Sequence, residues 1–537
     1  MTLTYGGGKE KIVTKYLYIT ENLLKSEKYL GKRKIAMNRY QKLKINTLSS
    51  LFNRLILIIS GFILPRFILS FYGSETNGLV SSINQFLTII TFLDLGVGSV
   101  VQSALYGPLA DRNYEEIAGI LESAKNYFRK IAYVLLVYVF LLIVFSSSLL
   151  DNDGSFFSTA FLIVSISIGL FSQYYFGIVN ELLLNADQKS YIQFTTENIV
   201  VLLNLIVSLV LIVNGFSIQL VKLISGVIFL IRPIYLAYYV TKNYRLNSQT
   251  NISKKPLPQK WSGMAQHIAY SVQKSSDIII LTILTSLSIV SIYSVYNLIV
   301  QGLQMLISSI TVNLKSYYGN LLVTENSNVL IHSFERMEWI VHTGVTFLYA
   351  VSCVLIVPFV MIYTSGIEDV NYYQPIFGYL FVIGNMFYSL RTPYQTLILA
   401  AGHFKQTQVS SIIEVVINII VSVLMVIKFG LIGVGIGTSI AMLYRTIYLA
   451  FYLKDNILKR PLKTFFKHMF VDSVIFLIIS LLGTMVLNNF SIETIGEWAF
   501  IACLISLVGI LTSVLINLFF YKNYINMMLN KIGITIK

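Results

Sequence analysis

Two cysteines and nine prolines are all that 537 residues hold, and only 12% of the chain is charged. Cys353 and Cys503 both fall in apolar stretches, so neither a disulfide framework nor a cysteine metal site is available. His267, His332, His342, His403 and His468 show no metal-ligand spacing, and no metal is expected. No G-x-x-x-x-G-K-S/T run exists, which argues against ATP drive by this chain, and no cofactor is expected. No soluble segment exceeds about 45 residues, too short for a separate catalytic domain. Asp151-Asn-Asp153 has the spelling of a metal-dependent glycosyltransferase, but it lies in a short loop facing away from cytoplasmic nucleotide sugars and reads as solvated loop acid. Gly433-Val-Gly-Ile-Gly437 has no preceding strand and sits in an apolar stretch; small residues there let helices approach closely.

What the chain has is apolar length. It is 55% hydrophobic with a mean hydropathy of +0.71. Fourteen stretches reach the roughly 20 residues that a helix needs to cross the hydrocarbon core. They are expected at about 45–70, 77–104, 128–148, 156–183, 190–213, 216–240, 263–286, 288–314, 338–363, 374–400, 407–428, 431–453, 468–488 and 498–520. We number them spans 1 to 14. With the N-terminus in the cytoplasm, 32 of the 40 lysines and arginines fall in the tails or in loops of one side. The opposite loops carry only Lys428, beside Glu75, Asp151, Asp153, Glu368, Asp369, Glu493 and Glu497. The positive-inside rule therefore places both termini in the cytoplasm of a multi-pass protein. It also explains the net charge of +15 as topology charge near anionic lipid headgroups, so nucleic acid is not expected as a partner. The tail 1–44 lacks the apolar core and cleavage site of a signal peptide. Met37 is the expected natural start, with residues 1–36 an extension.

The chain resembles itself at an offset of about 213. Arg232-Pro-Ile-Tyr-Leu-Ala-Tyr-Tyr-Val240 matches Arg445-Thr-Ile-Tyr-Leu-Ala-Phe-Tyr-Leu453 in six of nine positions. Asn204-Leu-Ile-Val-Ser208 matches Asn418-Ile-Ile-Val-Ser422, and Tyr106-Gly-Pro-Leu109 matches Tyr318-Gly-Asn-Leu321. Span 1 maps on span 7 and span 6 on span 12. Six spans is an even number, so the repeat is parallel, about an axis along the membrane normal. The expected fold is an all-α polytopic membrane protein: an N-lobe at 45–241, a basic linker at 242–262, a C-lobe at 263–454, and spans 13 and 14 added at 455–537. A cavity between two such lobes suits transport by alternating access.

A charge inside the bilayer is costly, so it normally faces protein or water. Lys274 and Asp277 share a face of span 7, either as a neutralising pair or as cavity charges. Arg54 and Arg66 are twelve residues apart on span 1, about 18 Å and on nearly the same face. They suit an anionic substrate, although Arg66 can also snorkel outward. Arg391 completes the candidate cavity cations. Asp94, Asp277, Glu197 and Glu414 are the candidate ion-coupling groups. Arg232 and Arg445, followed by tyrosines, read as interfacial anchors, with Glu197 and Glu414 as possible partners.

Several motifs resemble polysaccharide biosynthesis flippases of Gram-positive type. They are Ile45-Asn-Thr-Leu-Ser-Ser, Ile63-Leu-Pro-Arg-Phe-Ile-Leu, Tyr72-Gly-Ser-Glu-Thr-Asn-Gly-Leu, Ser103-Ala-Leu-Tyr-Gly-Pro-Leu-Ala110, Ala186-Asp-Gln-Lys-Ser-Tyr191, Ser276-Asp-Ile-Ile-Ile280 and Gly430-Leu-Ile-Gly-Val-Gly-Ile-Gly-Thr438. The resemblance covers residues 43 to about 455 and places the chain near Wzx-type flippases of the multidrug/oligosaccharidyl-lipid/polysaccharide (MOP) exporter superfamily. It implies a fold shared by MATE exporters and MurJ-type flippases, with spans 1, 2, 7 and 8 lining the central cavity. It also implies a bacterial plasma-membrane location. The implied substrate is undecaprenyl-pyrophosphate-linked oligosaccharide, moved from the inner to the outer leaflet for capsule or exopolysaccharide assembly. A proton or sodium gradient, or the membrane potential, would drive it. Expected partners are membrane lipids and the polymerase and glycosyltransferases of the same pathway. Teichoic-acid precursor flippase, lipid II flippase and drug/cation antiporter remain as alternatives. A membrane polymerase or ligase is a different class, and it would usually need a larger outer loop than any here.

Overall fold

The computed structural model describes residues 39–94, 96–150, 155–244, 264–311, 314–324 and 327–531. Met37, the tail before it, Asp151, Asp153 and most of the basic linker lie outside those residues. Among the described residues the chain is helical throughout, without a strand. Eleven helices are long and apolar enough to cross a membrane. The first, Lys44–Asp94, holds span 1 and the first part of span 2. Its helical run Arg39–Thr88 turns at Gly73, whose φ of 80° is one that only glycine adopts freely. Span 7 (Met264–Leu284) and span 10 (Pro375–Leu390 and Thr392–Ala400) are helical too, but the first is less apolar and the two pieces of the second are each too short to cross. In span 7 the polar run Gln273 to Asp277 is responsible; in span 10 it is the interruption at Arg391.

Spans 2, 4, 6 and 10 are broken. Span 2 passes into a 3₁₀ turn at Ile89–Asp94, and a separate helix, Val97–Asp111, follows. Its repeat counterpart, span 8 (Leu287–Thr311), is likewise followed by a short helix, Leu314–Thr324. Span 4 carries a π-helical turn at Gln173–Gly177 before Ile178. The residue 213 later is Arg391, where span 10 breaks. The fourth span of each half is thus interrupted at the same place, and such interruptions tend to mark functional sites.

The halves pack alike. Span 5 (Ser190–Val213) packs on span 1, and span 11 (Phe404–Phe429) packs on span 7. Span 6 (Ile218–Phe229 and Ile231–Asn243) packs on spans 4 and 5, and span 12 (Leu431–Leu453) on spans 10 and 11. Each half has its own apolar core; Leu287 of span 8 joins the first and Leu69 of span 1 joins the second. The glycine run of span 12 is packing chemistry: a Cβ on Gly433 would meet the backbone of Met425 at 2.3 Å, and one on Gly437 would meet Ser422 Oγ at 2.1 Å. Spans 13 (Lys463–Leu487) and 14 (Ile495–Phe520) dock on span 9 (Ser327–Tyr363), with Gly483 against Val354 and Gly509 against Phe347. Thr494 and Glu497 cap span 14 reciprocally.

Candidate functional site

Span 7 brings Gln273, Lys274 and Asp277 to a polar cavity in the C-lobe. Span 8 adds Tyr293, Asn297, Gln301 and Gln304 to its lining, and spans 10 and 12 add Asn385 and Thr438. Asp277 is 6% exposed. It does not pair with Lys274. It accepts hydrogen bonds from Tyr293 Oη at 3.1 Å, Thr438 Oγ1 at 2.9 Å and Asn418 Nδ2 at 3.4 Å. Lys274 is exposed on the cavity wall. No ion pair to it occurs among the described residues. The wall is rich in carboxamides, and Gln304 Nε2 donates to Asn385 Oδ1 at 2.8 Å.

The N-lobe has a counterpart. Leu64, Asn204 and Ser225, the repeat equivalents of Asp277, Asn418 and Thr438, line a cavity of about 390 Å³. Leucine stands there in place of the carboxylate, and Lys222 and Glu197 enter the lining instead. An adjoining cavity of about 320 Å³ holds Glu181 and Arg232. Arg232 lies 3.1 Å from Glu181 and 3.4 Å from Glu197. It is a lobe-internal ion pair facing a cavity, rather than an anchor in the headgroup region.

Both arginines of span 1 reach across to the other lobe. Arg54 Nη1 donates to the carbonyl of Met305 at 3.5 Å, next in the chain to Gln304 of the C-lobe cavity. Arg66 Nη2 donates to the carbonyl of Ser365 at 2.6 Å. Further contacts join the lobes from that end inward. Ser74 bonds to Asp369, Asn77 Nδ2 donates to Ser291 at 2.8 Å, Ser82 pairs with Thr282 at 2.7 Å, and Gln85 Nε2 donates to Ser275 at 2.7 Å. Tyr372 shares hydrogen bonds with Ser74 and Ser291; burial raises its pKa above the ordinary value, so it stays protonated. The lobes are therefore closed together at the face of the lysine-poor loops. At the opposite face, Asp187 gathers Lys189, Lys42 and Tyr244 Oη. Burial first, then the Asp187 carboxylate, holds the Tyr244 hydroxyl well above its usual range.

Arg391 does not line the C-lobe cavity. It is 3% exposed, hydrogen-bonded to Glu414, and stacked over Tyr388 at 4.5 Å. Arg445 is also 3% exposed and lies 3.6 Å from the same carboxylate, with further bonds to Ser410 and the Thr407 carbonyl. Ser411, next to Ser410, is the repeat equivalent of Glu197 at the offset that aligns Asn204 with Asn418. Arg445 is thus buried between helices, where an interfacial anchor was expected, and Glu414 is held between two guanidinium groups. Asp94 ends the 3₁₀ turn of span 2, where Tyr127 Oη donates to the Leu93 carbonyl at 2.7 Å. Sequence reasoning missed Ser74 and Asp369 as site groups, and it counted Lys222 among the charges inside spans without giving it a role. The repeat offset applied to Asn418 and Thr438 was the signal that would have found the N-lobe cavity.

The fold is a two-lobed, all-helical one with known counterparts among solved structures. No protein-family model and no curated protein sequence matches the chain. Solved structures do. The chain is similar to lipid II flippase MurJ in an inward closed conformation, with a TM-score of 0.64 and 16% identity over 89% of this chain and 99% of that one. It is also similar to an inward-facing multidrug resistance MATE family transporter, with a TM-score of 0.55 and 14% identity over 75% and 96% of the two chains. A Vibrio cholerae MATE transporter, VcmN, gives 0.54 and 13% over 78% and 98%. At these identities the likeness establishes the fold.

Proposed function

We propose that the chain is a transporter, not an enzyme, that flips an anionic lipid-linked glycan between leaflets of a bacterial plasma membrane. The substrate is undecaprenyl-pyrophosphate-linked oligosaccharide for capsule or exopolysaccharide assembly. The observation that carries this reading is Lys274, without an ion pair among the described residues, on the amide-lined wall of a cavity in a two-lobed fold like that of a flippase. A pyrophosphate leaving water needs cations, because an unpaired buried anion is costly. Lys274 offers one from the C-lobe, and Arg54, at the carbonyl of Met305, offers another from the N-lobe. Carboxamides suit sugar hydroxyls, since each both donates and accepts. The polyprenyl tail can stay in lipid.

Closure at the lysine-poor face supports an inward-directed state of an alternating-access cycle. Transport would separate Ser74 from Asp369 and close the opposite end. Asp277, with the hydroxyl oxygens of Thr438 and Tyr293, offers a hard oxygen set for a coupling proton or sodium ion. The membrane potential would add about 2.3 kcal/mol per charge per 100 mV for an anion moving outward.

Purified protein in liposomes should move fluorescent undecaprenyl-pyrophosphate oligosaccharide to the opposite leaflet and return it chemically unchanged. A cleaved or lengthened glycan would show a ligase or polymerase instead. The likeness to a lipid II flippase favours lipid II as a second substrate to test in the same vesicles. Movement of lipid II alone would replace the oligosaccharide reading.

A further inference from the structure

The two added spans meet the C-lobe through a buried charged cluster that the cavity does not use. Glu338 and His342 lie four residues apart on one face of span 9; His468 and Asp472 lie four apart on one face of span 13. Arg460, from the connection before span 13, grips Glu338 with both terminal nitrogens, at 2.6 and 2.5 Å. His342 Nδ1 is 2.6 Å from Asp472 Oδ2, and its Nε2 is 2.8 Å from Tyr394 Oη. His468 Nδ1 is 2.8 Å from Tyr521 Oη, and its Nε2 is 3.6 Å from Glu338 Oε2. The imidazole centroids are 5.2 Å apart. None of these side chains is more than 8% exposed.

The charges do not balance without a proton. Two carboxylates and one guanidinium leave one negative charge if both histidines are neutral. An uncompensated charge in such a site costs several kcal/mol. One imidazolium removes the deficit. Two would create an excess, with the rings close together. The hydrogen bonds choose between them. Both nitrogens of His342 face oxygens at short range, Asp472 on one side and Tyr394 on the other, so an imidazolium there donates twice. His468 has one close partner, and Tyr521 can donate to its Nδ1 while the ring stays neutral.

We propose that this cluster is a one-proton site, with the proton on His342, and that its loss loosens spans 13 and 14 from the C-lobe. The site does not depend on what the protein transports. It reaches the interrupted span 10 through Tyr394, which sits one turn after Arg391.

Full-length protein labelled with ¹⁵N-histidine tests this. At about pH 8 an ordinary exposed histidine is neutral, so a surviving imidazolium signal reports the cluster. That signal should disappear in His342→Gln and persist in His468→Gln. It should also disappear in Asp472→Asn, which removes the charge deficit while Glu338 and Arg460 stay balanced. The sign for stability follows: a proton held in the folded state stabilises at low pH, and that contribution fades as pH rises. The thermal midpoint should therefore fall with alkaline pH in the wild type and fall less in Asp472→Asn. No imidazolium at about pH 8 in the wild type, or one kept in Asp472→Asn, would overturn the site. Loss of the signal in His468→Gln but not in His342→Gln would overturn the assignment to His342. If His342→Gln does not fold, Asp472→Asn decides.

Discussion

Ser74 holds Asp369 twice: its backbone N–H donates to Oδ2 at 2.6 Å and its hydroxyl to Oδ1 at 2.7 Å. One residue opens span 2 in the N-lobe; the other lies in the loop of the C-lobe before span 10. The preceding Gly73 is part of the same contact, because a Cβ there would come within 3.0 Å of Asp369 Oδ2. Bonds to a charged acceptor contribute about 1.5–3 kcal/mol each, so this pair weighs on the equilibrium between closed and open lobes.

Asp369→Ala should therefore shift the lobes toward opening at the lysine-poor face. A cysteine placed at Asn77, 4% exposed beneath the latch, reads this. Its labelling by a water-soluble thiol reagent should rise by roughly tenfold or more, in line with the loss of at least one charge-assisted bond. Unchanged labelling would mean that the latch contributes nothing to closure.

The separation of Lys274 from Asp277 makes a second prediction. A packed ion pair would behave reciprocally, with the double alanine variant restoring what either single change removes. The structure shows Asp277 satisfied by Tyr293, Thr438 and Asn418, and Lys274 on the cavity wall. Lys274→Ala should abolish transport with protein still in the membrane. Lys274→Ala/Asp277→Ala should stay inactive. Full recovery in the double variant would remove Lys274 from the substrate site.

Glu414 should matter more for stability than Arg391. It lies between Arg391 and Arg445, so removing the carboxylate leaves two buried guanidinium groups uncompensated, at about 3–5 kcal/mol. Arg391→Ala leaves Glu414 paired with Arg445 and should cost less. The thermal midpoint should therefore fall further in Glu414→Gln than in Arg391→Ala. An equal or larger fall in Arg391→Ala would count against pairing as the cause.

Sidedness remains a prediction of the charge pattern. Cysteines at 152, 369 and 494 should label from outside whole cells, and those at 113, 249 and 458 only after permeabilisation. Reversal at any two positions would invert the topology argued from the loops.

Span existence was legible because membrane crossing is a local, compositional requirement: about 20 apolar residues suffice, whatever packs around them. The repeat was legible because the duplicated motifs keep their spacing. Breaks inside spans were not. The π-helical turn at Gln173–Gly177 carries no composition signal, since it reflects how neighbouring helices fit; the interruption at Arg391 had one in Pro393, at the start of the helix that follows it. Arg391 and Arg445 looked like cavity and interface groups for the same reason: hydropathy places a charge at a depth, and not on a side.

The sequence by itself therefore determined the helical class, the number of spans, the duplication and the asymmetry of loop charge, all of which follow from local composition and period. Only the tertiary structure decided which charges meet. Ser74 and Asp369 are 295 residues apart, Glu338 and Arg460 are 122, and His342 and Asp472 are 130. Such pairs form because packed helices exclude water and force each buried polar group to find a partner. That choice rests on three-dimensional neighbours that no window along the chain contains.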